Sequence, residues 1–249
     1  MRKLLSMLAI LCLATPLWAM APESEKVLQE ADRAYRDGQY QTAYDGYQRL
    51  LRTEGANGHL LFNLGNAAFR LNQTGRAILH YERARVLLPR DADLKFNLGH
   101  AREQTRDVIP EQESFVGTAF FWLGSLTLAE LFWCFAAINI LFWGALASRL
   151  FLRAEWTNSL AFLLLAVWLL AGLSFGLKWQ QTRADDRAVI LLTEVSVLAG
   201  PDLRDTLLFK LHEGTIVHLE RSEAGWLLIR LPDGKRGWLR SESAEKIAA

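Results

Sequence analysis

Cysteine is scarce in this sequence. Only two occur in 249 residues, Cys12 and Cys134, and both lie within apolar runs. No polar or charged stretch contains a thiol, which excludes a disulfide framework and a cysteine-based zinc site in those stretches. The cysteines therefore give no indication of the redox compartment.

An excess of charge of one sign is also missing. The chain carries 28 Lys and Arg against 27 Asp and Glu, for a formal net charge of +1. Proteins that bind nucleic acid usually carry a basic patch or stripe. We therefore expect no nucleic-acid partner.

The sequence has no recognisable catalytic pattern. None of the histidines is spaced from another as metal ligands on one helix would be, at positions i and i+4. There is no glycine-rich phosphate loop, no GxSxG turn and no Cys/His arrangement. We expect neither a metal site, nor a cofactor, nor enzymatic activity. The five histidines are His59, His80, His100, His212 and His218.

The N-terminus, MRKLLSMLAILCLATPLWAMA, has the layout of a secretory signal peptide. Two basic residues precede an apolar run from Leu4 to Ala14, which is short for a membrane span. Residues 1–19 are the predicted signal peptide. Cleavage after Ala19 is favoured over Ala21, because Pro22 would follow the latter. An uncleaved N-terminal anchor is the alternative.

Residues 23–104 contain an internal repeat. The sequence FNLG occurs at Phe62–Gly65 and again at Phe96–Gly99. Small and apolar residues recur at helical spacing, which predicts pairs of antiparallel helices with close approach at the small residues. The same register pairs Ala31 with Gly65 and Gly99, Ala43 with Ala77, Tyr47 with Tyr81, and Leu50 with Ala84.

Turn and breaker residues divide this segment into helices. Gly38 and the stretch Asn72–Gly75 are expected to form the turns within two helix pairs. Pro89 ends the second pair, and Gly55 stands at the corresponding point of the first. Residues 91–104 supply one further helix, which is expected to cap the stack.

The segment resembles tetratricopeptide repeats, which have the same period, about 34 residues. The resemblance implies an all-α solenoid with a concave, peptide-binding groove lined by the first helix of each pair. Asparagine offers both a donor and an acceptor to an extended peptide, and Arg70 has a planar fork suited to a carboxylate. The groove positions carried over are Asp32, Arg36, Asn63, Asn66, Arg70, Asn97, His100 and Gln104.

Two observations qualify this groove. The family's carboxylate clamp is not matched, because Leu28 and Asp32 stand where Lys and Asn would be required. An equally weighted alternative is that Asn63 and Asn97 satisfy backbone groups between helices.

The next part of the chain is membrane-like. Residues 105–127 are interpreted as a linker and an aromatic interfacial segment, 128–150 as a first transmembrane helix, 151–159 as a basic cytoplasmic loop, and 160–178 as a second transmembrane helix. Asn139 lies within the first span and is a candidate for helix association. Glu130, near its outer end, is expected to reach the headgroup layer.

Residues 187–249 change to a period of two. Stretches such as AVILLTEVSVL, IVHLE and WLLIRL, separated by turn signals, predict five short strands and a small all-β barrel. The region resembles bacterial SH3-like domains in its GP turn, its LxEGT loop and two Gly-Trp pairs. Phe209, Trp226 and Trp238 are a candidate ligand surface, and the favoured alternative places both tryptophans in the core.

The whole chain resembles aerotolerance (Bat) operon proteins of the BatE type. That resemblance implies partners among von Willebrand factor A-domain membrane proteins and a MoxR-type ATPase, with a role in envelope or oxygen stress. We expect a non-enzymatic scaffold in the bacterial inner membrane, with both soluble domains on the periplasmic side. The alternative is peptidoglycan binding through the SH3-like domain.

Overall fold

A computed structural model describes residues 22–107, 109, 115–149 and 156–248. The predicted signal peptide and residues 151–155 of the predicted cytoplasmic loop lie outside these ranges. The described residues form eight α-helices, two short 3-10 helices and seven β-strands. The chain divides into two compact units. The first ends at Gly55, and the second begins at Ala56.

The first unit is a helical hairpin. Helix α1 spans Pro22–Arg36 and α2 spans Tyr40–Glu54. Gly38 has a φ of +78° in the turn between them, as the sequence predicts. A Cβ atom on Gly46 would lie 2.8 Å from Ala31 Cβ, so the two helices touch at small residues.

The second unit begins with three helices: α3 (Gly58–Arg70), α4 (Thr74–Leu87) and α5 (Ala92–Glu103). Asn57 caps α3 and Asp91 caps α5, and the side chain of each accepts from backbone amides of the first turn. Asn72 has a φ of +58° in the turn before α4. Helix α5 packs on α4 and α3 through its buried residues Leu94, Leu98 and Ala101.

Two long apolar helices follow a short segment made of helix α6 (Phe115–Ala119) and a 3-10 helix, Phe121–Gly124. Helix α7 spans Leu128–Ser148 and α8 spans Trp156–Arg183. At about 1.5 Å per residue, each is long enough to cross about 30 Å of hydrocarbon. Both are apolar enough to do so, and few of their side chains are buried.

Helices α7 and α8 are antiparallel neighbours. The ring of Phe132 lies 5.9 Å from that of Phe175, whereas Phe142, further along α7, contacts Trp168, which is earlier in α8. Gly172 allows this approach, since a Cβ atom there would lie 3.2 Å from the ring of Phe135. The N-terminal end of α7 and the C-terminal end of α8 therefore lie on the same side of the helical hairpin. Helix α8 is longer at both ends than the predicted second span.

The C-terminal part is an antiparallel sheet in the order β3-β2-β6-β5-β4-β1-β7. Alternating residues of its strands enclose an apolar core that includes Ile190, Val197, Val217, Ile229 and Leu239. The strands are β1 (Arg187–Ile190), β2 (Glu194–Leu198), β3 (Leu207–His212), β4 (Ile216–Glu223), β5 (Trp226–Arg230), β6 (Arg236–Arg240) and β7 (Ala244–Lys246).

The prediction of five strands was wrong in number. The run AVILLTEVSVL forms two strands, because the chain leaves β1 at Leu191, whose amide bonds to the carbonyl of Ser243. Strand β7 was also missed. It is only three residues long and pairs with β1, a partner more than fifty residues away in sequence.

Candidate functional site

Each of the two helical hairpins contains a hydrogen bond from a tyrosine hydroxyl to a short polar side chain. The Tyr47 hydroxyl donates to Asp32 Oδ1 at 2.7 Å, and the Tyr81 hydroxyl donates to Asn66 Oδ1 at 2.8 Å. Both pairs are 15 residues apart, and the second lies one repeat after the first. Burial raises the pKa of Tyr47 above its usual value, as do the hydrogen bond to Asp32 and the charge of that carboxylate. Tyr47 is therefore a neutral donor.

Asn66 also joins α3 to α5. Asn97 Nδ2 donates to Asn66 Oδ1 at 2.9 Å, so this single oxygen accepts from both Tyr81 and Asn97. The alternative that Asn97 satisfies a backbone group between helices is not what the structure shows, since its amide nitrogen bonds to a side chain. Among the described residues, Asn66 Nδ2 and Asn97 Oδ1 make no hydrogen bond.

An aromatic cluster continues the same seam between α3 and α5. The His100 ring lies 5.5 Å from that of Phe69 and stacks at 6.4 Å, nearly parallel, on that of Phe96. Phe96 is 73% exposed although it is a large apolar residue. We refer to Asn66, Phe69, Phe96, Asn97 and His100 together as the α3–α5 seam.

The structure thus brings together only part of the predicted groove. Asn66, Asn97 and His100 belong to the seam, whereas Asn63 and Arg70 are further residues of α3 and Gln104 directly follows α5. Asp32 and Arg36 belong to the first unit, where Asp32 accepts from Tyr47. Sequence reasoning missed Phe69 and Phe96. The repeated phenylalanine of FNLG was the available signal for the latter.

The β-sheet covers another surface of α4. A Cβ atom on Gly75 would lie only 2.6 Å from the carbonyl oxygen of Ile190 in β1. The Gly75 amide also donates to Glu213 Oε2 at 3.3 Å. One turn from the end of α4, the Arg83 guanidinium donates to the carbonyl oxygens of Ile247 and Lys246, at 3.1 and 2.6 Å. Strands β1 and β7 are thereby fixed on α4.

A buried carboxylate lies at the centre of this contact. The Glu82 side chain is 0% exposed and receives hydrogen bonds from three guanidinium groups: Arg85 of α4 at 2.7 Å, Arg102 of α5 at 2.6 Å and Arg187 of β1 at 3.3 Å. Because a buried charge requires partners, this arrangement ties two helices and the first strand to one another.

The segment after α5 is held on the sheet by Asp107. Its carboxylate accepts from the His212 amide at 2.7 Å and from the Thr215 hydroxyl at 2.6 Å, and it lies 2.9 Å from His212 Nδ1. Burial alone would raise the pKa of Asp107, but these hydrogen bonds outweigh it and hold the pKa below its usual value. The group therefore acts as an ionised acceptor.

The three aromatics predicted as a barrel surface do not form one exposed platform. Trp226 and Trp238 are only 6% and 9% exposed and pack with Leu198 in a small core cluster. The guanidinium groups of Arg240 and Arg221 lie over their rings, at 4.9 and 5.8 Å from the ring centres. Phe209 packs elsewhere, beside the main core, and borders a separate open cleft. This packing fits the interpretation of both tryptophans as core residues.

Most of the polar side chains named near the apolar helices form hydrogen bonds or ion pairs with other groups of the same chain. Glu130 forms a capping box with Thr127 at the start of α7 and an ion pair with Arg90. Lys178 donates to the carbonyl oxygen of Leu123 at 2.7 Å. Asn139 Oδ1 is buried and has no hydrogen-bond partner among the described residues.

No group of three or more His, Cys, Asp or Glu residues that could hold a metal ion occurs in the described ranges. Neither a family model nor a curated protein matches this chain.

Proposed function

We propose that this protein is a non-catalytic scaffold that a transmembrane hairpin anchors and that binds partner proteins. Residues 23–104 would be tetratricopeptide repeats, and residues 187–249 an SH3-like domain that supports them. The α3–α5 seam carries this proposal, because it presents an exposed aromatic ring and amide groups without a hydrogen bond to other described residues, on two helices that pack together. The β-sheet contacts α4 and so supports the helices that carry the seam.

The arrangement of the second unit suits display from a membrane. Helix α7 begins beside Arg90 of the helical segment, through the Arg90–Glu130 pair. Helix α8 ends at Arg183, four residues before strand β1. Because α7 and α8 are antiparallel, a hairpin that spans the membrane would leave the helices and the sheet on one side.

The cellular setting is proposed from resemblance. A BatE-type protein would lie in the bacterial inner membrane with its soluble domains in the periplasm. Its partners would be von Willebrand factor A-domain membrane proteins, with a MoxR-type ATPase in the same system. The complex would serve envelope integrity or oxygen tolerance.

Crosslinking in native membranes, followed by mild-detergent purification and mass spectrometry, tests the scaffold. Deleting residues 23–104 would also expose the face of the sheet that contacts α4. Substitutions of surface residues therefore test the binding site more specifically. We would compare Phe96→Ser/His100→Ser with the control Asp93→Ser/Lys95→Ser, which changes exposed residues of the same helix. Loss of partner proteins from the first variant alone supports the proposal. Equal recovery from both contradicts it.

The same experiment addresses the peptidoglycan alternative. The burial of Trp226 and Trp238 removes the exposed rings that a glycan would stack on. Recovery of wall fragments through residues 187–249, with no protein partner, would replace the scaffold proposal with wall binding.

A further inference from the structure

Cationic side chains gather at the open end of the apolar hairpin, where α7 begins and α8 ends. The rings of Phe132 and Phe175 are in contact there. Glu130 precedes Phe132 by two residues and Lys178 follows Phe175 by three, so both lie about 3–4.5 Å beyond that contact along the antiparallel helices. The Arg90 guanidinium pairs with Glu130. Two cations and a single carboxylate therefore lie at one level of the hairpin.

The ammonium group of Lys178 has no counter-ion among the residues that the structure describes. Its Nζ donates to the carbonyl oxygen of Leu123 at 2.7 Å, which uses one of three N–H groups. The ionisable group whose charge acts on Lys178 is Arg85, another cation. Arg85 donates to Glu82, yet 41% of its side chain is exposed, whereas Glu82 is fully buried. Both cations thus retain N–H groups that can donate to a further acceptor.

The ion pairs around this end leave an excess of two positive charges. Because like charges repel most strongly where water is partly excluded, an anion bound here would be stabilised. Trp179 is 45% exposed next to Lys178, which suits the level of the lipid headgroups. At that level of a membrane the abundant anion is the lipid phosphate. The charged groups are the cations Arg85, Arg90, Arg102, Lys178 and Arg187 and the carboxylates Glu82, Glu130 and Asp185.

We propose that Lys178 and Arg85 bind the phosphate group of one phospholipid, in the leaflet nearer α4 and the β-sheet. This inference rests on the proposed membrane hairpin and specifies a lipid partner for it. Two N–H groups of Lys178 and the exposed side of the Arg85 guanidinium would donate to the phosphate oxygens. An anionic lipid is favoured over a zwitterionic one, because choline or ethanolamine would bring a further cation to a place with excess positive charge.

The test uses the whole protein in a non-ionic detergent. Native mass spectrometry counts the lipids bound during titration with phosphatidylglycerol or phosphatidylcholine. The natural chain is expected to bind one phosphatidylglycerol more tightly than phosphatidylcholine. Lys178→Met is expected to weaken that binding at least about tenfold, because it removes charged hydrogen bonds to the phosphate.

Two further variants serve as controls. Lys178→Arg keeps the charge and should retain most of the affinity for phosphatidylglycerol. Arg183→Gln removes a cation that lies over the Trp179 ring near the same end of α8, and it should have little effect. Circular dichroism verifies that each variant folds.

Equal affinity of the natural chain and Lys178→Met for phosphatidylglycerol would overturn the site. Displacement of the lipid by millimolar inorganic phosphate would show a site for a soluble anion and would overturn it as well. Extraction of membranes with alkaline carbonate separates this inference from the proposed anchor. A chain that stays in the membrane, with no effect of Lys178→Met on lipid binding, loses the lipid site alone, whereas release of the natural chain contradicts both.

Discussion

The Tyr81 ring lies directly against the backbone of Gly65. A Cβ atom added to Gly65 would be 2.4 Å from Tyr81 Cδ1, a distance at which the ring must move. At the equivalent glycine of the next repeat, Gly99, no described residue has an atom within 4 Å of such a Cβ. The two glycines hold the same place in the repeat, but only the first is packed against a second helix.

This difference predicts opposite effects for one substitution. Gly65→Ala should destabilise the protein by about 1–3 kcal/mol, because it overpacks the contact with Tyr81. Gly99→Ala should be neutral or stabilise it by up to about 1 kcal/mol, because alanine favours the helix. Thermal unfolding of the two purified variants in detergent measures both. Equal losses of stability would contradict the packing of Tyr81 on Gly65.

The repeat was the most predictable part of the fold. Small residues, tyrosines and turn residues at a fixed period specify a local contact, since the two helices of each pair pack on one another. Gly38 and Asn72 adopt the predicted turn conformations, and α4 ends before Pro89. The period also aligns Tyr47 with Tyr81, but it predicts neither of their hydrogen bonds, to Asp32 and to Asn66.

The contact between α4 and the sheet could not be predicted in the same way. Glu82 and Arg83 read as ordinary charged residues of an exposed helix, yet their partners Arg187 and Ile247 are more than a hundred residues away. Such pairing depends on how two elements dock, which no local pattern encodes. The same holds for the site, where Asn66 was predicted but its double acceptor role was not.

Glu82 is predicted to be important for stability. Glu82→Gln removes the buried charge that three guanidinium groups share, while Arg187 keeps its ion pair with Asp185. A loss of about 1–3 kcal/mol is expected, because the carboxylate is buried but the guanidinium groups are partly exposed. Glu245→Gln removes the exposed partner of Arg83 and should cost less than about 1 kcal/mol. Denaturant unfolding compares them, and a similar cost for both would argue against a buried cluster.

Stability should also fall in mild acid because of His80. Burial, with the nearby charges of Arg83 and Arg76, lowers the pKa of His80 to about 3 from an ordinary value near 6.5. Between these values the unfolded chain binds a proton that the folded chain does not. This contribution to stability is complete above pH 6.5 and is lost as the pH falls toward 3, by up to about 5 kcal/mol.

The variant His80→Gln isolates this contribution. Unfolding free energies of both proteins, measured from pH 7 to pH 4, should show a steeper decline for the natural chain. Parallel curves would mean that the pKa of His80 is the same in the folded and the unfolded chain, which would contradict the effect of burial.

Asp107 should stabilise the segment after α5 through its ionised form. Asp107→Asn removes the charge that accepts from His212 and Thr215, at a cost of about 1–3 kcal/mol. Because its folded pKa is depressed, this stabilisation is present above about pH 4 and is lost in stronger acid. Hydrogen exchange of the His212 amide reports the contact locally. Asp205→Asn, in an exposed turn of the sheet, is the control; equal protection of that amide in both variants would contradict the assigned role.

The antiparallel hairpin predicts where single cysteines can be labelled. In a chain whose Cys12 and Cys134 are replaced by serine, Asn72→Cys lies in the turn before α4 and Ser222→Cys on β4, both exposed. If α7 and α8 cross the membrane, these two positions are on one side and Arg149→Cys, at the far end of α7, is on the other. A membrane-impermeant maleimide applied to spheroplasts should label the first two together and spare the third, if they face outward as proposed.

Labelling of Arg149→Cys alone would show that the hairpin crosses the membrane in the opposite orientation. Labelling of Asn72→Cys without Ser222→Cys would show that the two helices do not both cross.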